Sequence, residues 1–229
     1  MSTTKVQGDM IDVDAATVAV VAAGDKFNFL DITDSLVKED TVQGIVDLVP
    51  AGGAWNLIGT SVASSSASLT ITGLNSTYDT YAVALADIVP ATDTALGWIR
   101  FGDSSGIDTG AADYGWGHYG GLVDNTTAGF VGSEDNSDAQ ILCTHTTGAG
   151  SAAGEGFGAM LYLTSPSDGT TLSMITGTTA TANPTVADFY NGQLFGVRRN
   201  VITMDRILFQ FSTGNIASGR MTVWGIAHA

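Results

Sequence analysis

Met204-Asp205-Arg206-Ile207-Leu208-Phe209-Gln210-Phe211-Ser212-Thr213-Gly214-Asn215-Ile216-Ala217-Ser218-Gly219-Arg220-Met221-Thr222-Val223-Trp224-Gly225-Ile226 is the stretch that decides the fold class. Two alternating apolar runs flank a segment of Ser, Gly and Asn. A period of two is the mark of a half-buried strand, so the stretch reads as an antiparallel hairpin that closes a β-sandwich. Leu208 or Phe209 leads one face of the first strand, and Val223 and Ile226 lie in the return strand.

Upstream, strand-like runs recur at short intervals: residues 55–60, 67–72, 80–88, 96–101, 139–144, 157–164, 170–176 and 193–197. Nine or ten strands with almost no helical periodicity predict an all-β, antiparallel, jelly-roll-like sandwich. Three stretches between them read as loops: the Gly-, Asp- and Tyr-rich residues 107–137, and the shorter 148–156 and 180–190. Long loops on a rigid sandwich are where binding residues usually sit.

Residues 1–52 read as a separate module. Val18-Ala19-Val20-Val21, a Gly24-Asp25 turn and Phe27-Asn28-Phe29-Leu30 predict a hairpin, which Leu36-Val37-Lys38-Glu39 can extend. Asp40 is placed to cap a short helix with the apolar stripe Val42, Ile45, Val46 and Val49, ended by Pro50. About 50 residues bury too little surface to be stable alone, so Phe27, Phe29, Val42, Ile45, Val46 and Val49 are expected to form an assembly face. Residues 53–229 form the β-sandwich unit.

Charge narrows the partners. Eight Lys and Arg stand against 23 Asp and Glu, a net charge of −15 with a pI near 4.1. Such a surface repels phosphate backbones and anionic lipid, which argues against nucleic acid as a partner. All three lysines, Lys5, Lys26 and Lys38, precede residue 39, whereas the remainder has five arginines as its basic side chains. One cysteine, Cys143, excludes an intrachain disulfide framework. No run approaches the roughly 18 apolar residues that a membrane-crossing helix needs. The opening residues lack a charged-then-apolar leader, so synthesis in the cytosol without membrane insertion is expected.

Chemical signals are sparse. Asp103, Asp108 and Asp113 recur every five residues beside Tyr114, Trp116 and Tyr119. Carboxylate oxygens can gather calcium, and an aromatic face beside carboxylates can stack on a sugar; solvated turns explain the same pattern. The ordered ligands and closing Glu of a calcium loop are missing. Glu134-Asp135-Asn136-Ser137-Asp138 is a second acidic cluster, compatible with an exposed turn. His118, His145 and His228 lack zinc spacing, and no nucleophile elbow is present. No catalytic residue, metal or cofactor is therefore expected. Arg198-Arg199 reads as an ion-pairing spot.

Residues 64–81, from Ser64 through Leu69-Thr70-Ile71-Thr72-Gly73-Leu74 to Tyr81, carry a family resemblance. So do Asp87-Ile88-Val89-Pro90-Ala91-Thr92-Asp93, Arg100-Phe101-Gly102-Asp103 and the closing 211–219. Together they resemble a β-sandwich domain of tailed-bacteriophage virion proteins, and Asp25-Lys26-Phe27-Asn28-Phe29-Leu30-Asp31 is similar to short modules that precede phage fibre domains. The resemblance implies a non-enzymatic virion structural protein, commonly a homotrimer. A tail fibre or fibre tip is the first expectation, anchored by its N-terminus to other virion proteins and turned toward host-surface glycan; capsid decoration or a head fibre is the alternative. A carbohydrate-binding or carbohydrate-active sandwich would instead need Trp98, Tyr114, Trp116 and converging acids around one cleft.

Overall fold

The computed structural model describes residues 26–31, 36–41, 54–123, 128–164, 166–183 and 188–227. The chain divides into two units, Met1–Gly52 and Gly53–Ala229. Strands β1 (Lys26–Asp31) and β2 (Leu36–Thr41) form the described part of the first unit, an antiparallel pair running from Lys26↔Thr41 to Asp31↔Leu36. The run at Leu36 thus does extend the sheet. The helix expectation needs correction at its start: Asp40 lies in β2 opposite Phe27, its backbone held in a ladder instead of capping a helix. There is no helix among the described residues. Val18–Val21, Val42, Ile45, Val46 and Val49 lie outside them, and Phe27 and Phe29 are placed in β1 by their backbone.

The described residues of the second unit form thirteen strands, β3 (Trp55–Val62), β4 (Leu69–Thr72), β5 (Thr80–Pro90), β6 (Gly97–Asp103), β7 (Gly106–Ile107), β8 (Tyr114–Val123), β9 (Ala128–Asp138), β10 (Ile141–Leu142), β11 (Gly156–Thr164), β12 (Met174–Asn183), β13 (Asp188–Arg198), β14 (Arg206–Phe211) and β15 (Ile216–Ile226). One sheet has eight strands in the order β3-β15-β5-β11-β12-β13-β8-β9. The other has the order β10-β6-β14-β4, with β7 added beside β6. All pairings are antiparallel.

Alternation explains why the sheets close on each other. Ile207, Phe209 and Phe211 of β14, Leu69 and Ile71 of β4, and Ile99 and Phe101 of β6 are buried facing Val83, Leu85, Leu161, Leu163 and Val223 of the larger sheet. Phe157 of β11 stacks on Phe209 of β14 with ring centroids 5.7 Å apart, and Phe101 of β6 meets Tyr114 of β8 edge-on at 5.9 Å. Burial of each such side chain contributes about 1.5–3 kcal/mol.

Two expectations fail here for physical reasons. The closing stretch is not a hairpin: β14 pairs with β4 and β6, whereas β15 pairs with β3 and β5 in the other sheet. Its connecting residues bond outward rather than to each other. The Ser212 amide donates to Leu96 O (2.8 Å), the Ala91 amide to Asn215 O (2.8 Å), and Asn215 Nδ2 to Ser65 O (2.8 Å). The link therefore arches between layers. Residues 107–137 are also not a loop, since they contain all of β8 and nearly all of β9, and residues 180–190 are largely absorbed into β12 and β13. Glycine disfavours strands through lost conformational entropy, but the unbroken ladder with β13 and the ladder with β9, shifted only at Gly115, hold β8 on both sides.

Candidate binding groove

The register of the larger sheet strings side chains into rows on its outer face, because directly paired residues point the same way. One row runs through all eight strands: Glu134, Gly117, Phe195, Thr176, Tyr162, Ala82, Trp224 and Leu57. Large and small residues alternate along most of it, so each ring lies over a small neighbour. A Cβ on Gly117 would fall 2.3 Å from Cζ of Phe195, so glycine lets that ring lie flat across β8, where any side chain would make it swing aside.

Beside Phe195 an open groove of 1040 Å³ runs between Val197, Met174 and Thr176 on one side and Glu134, Asp135 and Asn136 on the other, with Arg199 also at its wall. A smaller hollow of 360 Å³ adjoins it, lined by Tyr119, Gly132 and Ser133 as well as Phe195. Phe195 and Tyr119 are 51% and 59% exposed, the opposite of core aromatics. A ring face bordered by carboxylate, amide and guanidinium groups can stack on an apolar ring and hydrogen-bond its hydroxyls. Among the described residues, no histidine, cysteine or serine lines the larger groove. Its two acids are neighbours on β9, and Asp135 accepts the Ser137 amide at 2.8 Å. They do not flank the groove from two sides, as paired-carboxylate glycoside hydrolysis requires.

The structure separates the residues that the sequence groups together. Asp103 holds an exposed turn by accepting from the Ser105 amide (2.8 Å) and hydroxyl (2.6 Å), bonds that hold its carboxyl below the usual range. Asp108 and Asp113 converge on Arg198, whose Nε lies 2.9 Å from Asp108 Oδ2 and whose Nη2 lies 3.2 Å from Asp113 Oδ1. Nη1 also donates to Asp113 O at 3.1 Å. The two carboxylates are thus neutralised inside the fold, and the ion-pair reading of Arg198 holds. Among the described residues no group of three or more His, Cys, Asp or Glu is placed to hold a metal ion.

Tyr114 and Trp116 cannot present a face to a sugar. Tyr114 is fully buried, its hydroxyl donating to Phe101 O (3.0 Å) while accepting the Phe101 amide (2.8 Å), and burial pushes its pKa up. Trp116 reaches the wall of the larger groove but is buried too, its ring stacked on His118 and its Nε1 donating to Asp138 Oδ2 at 2.9 Å. Trp98 sits in β6 of the other sheet, under the Arg100 guanidinium at 5.3 Å. The single cleft that the lectin or hydrolase alternative needs therefore does not form from these residues. Tyr119 alone of the expected set is both aromatic and on the open face. Phe195, Met174 and Arg199 complete the groove; the signal for them is the glycine alternation of Gly115 and Gly117, which leaves space for large side chains on the neighbouring strand.

Sequence spacing also hides a buried polar cluster, His118, His145 and Tyr190. The smaller sheet is too narrow to cover eight strands, and the loop around His145 closes the remainder: the His145 amide donates to Thr181 Oγ1 (3.3 Å) and Asn183 Nδ2 to Gly148 O (3.4 Å). His118 and His145 come within 6.3 Å, with the Tyr190 hydroxyl 3.2 Å from His118 Nδ1. His118 stacks on Trp116 at 5.7 Å. Burial, and then the neighbouring His145, push His118 down to about 4, so the ring is neutral near pH 7. Cys143 is fully buried, which pushes its thiol pKa up and leaves it unreactive. His228 lies outside the described residues. The chain matches no family model and no curated protein.

Proposed function

We propose that the protein is a non-enzymatic structural component of a tailed-bacteriophage virion, a tail fibre or fibre-tip protein. Residues 1–52 attach it, and the jelly-roll-like sandwich of residues 53–229 is turned toward the host surface. The observation that carries this reading is the groove beside Phe195: an aromatic platform with a polar rim, open to solvent. That equipment suits contact with surface saccharide better than bond cleavage. Support for the virion setting comes from the sequence resemblance.

The test has two parts. Proteomic and immunolabelling analysis of purified particles should find the protein at the tail. Purified Phe195→Ala protein should bind host cells roughly tenfold more weakly, the loss expected for about 1.4 kcal/mol of stacking, with its melting temperature nearly unchanged. Absence from particles would overturn the virion assignment, and undiminished binding by the variant would overturn the role of the groove.

A further inference from the structure

The eight-stranded sheet has two unlike edges. At one, β9 carries Glu134, Asp135 and Asp138. At the other, β3 reads Trp-Asn-Leu-Ile-Gly-Thr-Ser-Val, without a charged residue or proline, and pairs among the described strands only with β15. Soluble proteins usually protect such an edge with charge, proline or a bulge that turns it away, because its free amides and carbonyls invite another chain. A register shift lies between Val223 and Trp224, yet the strand remains open: none of its eight residues is buried, and Leu57 and Val62 are 63% and 67% exposed.

The outer face beside this edge is apolar at its Trp55 end as well, and Arg220, opposite Val62, is the charged side chain at the other end. Trp55 lies 5.8 Å from Trp224 and 6.4 Å from Tyr162, an aromatic corner over Ala82 with Leu57 next to it. In the row that crosses the whole sheet, the one charged side chain is Glu134, at the far end from β3. This is unusual in a chain with 23 acids and a net charge of −15.

We propose that the β3 edge and the Trp55–Trp224–Tyr162 corner are buried against a second copy of this chain. Two copies this acidic repel wherever their carboxylates face each other. At β3 they can approach without opposing charges, whereas contact through β9 sets acid against acid. The sheet is thereby polarised, with its charge-free edge for assembly and its acidic edge, beside the groove, left outward. This inference does not depend on where the protein resides in a particle.

Light scattering on the full chain at micromolar concentration tests it. The wild type should show a multiple of the 23.5 kDa chain mass, and added salt should strengthen the association by screening the repulsion. Leu57→Lys combined with Val62→Lys should weaken association at least about tenfold, while Phe130→Lys, at a still more exposed position on β9, should leave it unchanged. A monomeric wild type, or an assembly indifferent to the β3 lysines, overturns the proposal. Should the double variant fail to fold, hydrogen exchange on the wild type decides the matter. Amides of β3 should gain protection as concentration rises, and exchange that is the same at every concentration overturns the proposal.

Discussion

Arg198 shows how far one side chain can redirect an acidic motif. With its side chain 8% exposed, it stands between Asp108 and Asp113, themselves 19% and 18% exposed. Replacing it leaves two carboxylates facing each other out of water, so Arg198→Met should destabilise the fold by about 3 kcal/mol in urea titrations. A change below about half a kcal/mol would mean that solvent already screens the pair. His118 makes a prediction in pH. Its folded pKa, about 4, lies below the unfolded value near 6.5, so in that interval the unfolded chain binds the additional proton. Stability is complete above that interval and declines as the solution is acidified through it. Denaturation midpoints measured across the window should fall for the wild type and fall less for His118→Gln; parallel curves would contradict the assignment. Neither residue's role is legible in spacing, because its partners are about 85 residues away for Arg198 and Asp113, and 72 for His118 and Tyr190.

At the scale of elements, β8 is the instructive case. Its glycines make it read as a loop, yet they are what allow side chains of β13 to cross it or its neighbour. On β13, opposite Gly120 of β8, a Cβ on Gly192 would meet the Tyr190 hydroxyl at 2.2 Å and Tyr119 O of β8 at 2.4 Å, whereas one on Gly121 of β8 would meet nothing within 4 Å. Gly192→Ala should therefore cost about 2 kcal/mol in thermal unfolding, because a backbone atom must move. Gly121→Ala should lie within about half a kcal/mol of the wild type. Equal effects would show that the close approach at Gly192 relaxes freely. The turn between β14 and β15 carries a related lesson: Ser, Gly and Asn signal a reversal of direction, but whether the chain reverses within a sheet or between sheets depends on Leu96, Ala91 and Ser65, which receive or supply its hydrogen bonds.

For the whole molecule, the division at Gly52 and Gly53 predicts that a chain beginning at Gly53 retains a cooperative melt, since the larger unit contains both sheets and their shared core. The same truncation should abolish incorporation into particles if residues 1–52 attach the protein; retained incorporation would place attachment in the sandwich. The alternation along residues 207–211 and 69–72 is enough, from sequence alone, to establish strands with two faces, whereas the packed core decides between Leu208 and Phe209, burying Ile207, Phe209 and Phe211. Composition likewise fixes the strong negative charge and the absence of an intrachain disulfide framework. Tertiary structure alone decides which strands are neighbours, that Tyr114 and Trp116 turn inward, that Arg198 neutralises the spaced aspartates, and that Phe195 rather than Trp116 faces solvent. These depend on pairings between distant segments, and local sequence encodes a strand's two faces without naming the strand that will lie beside it.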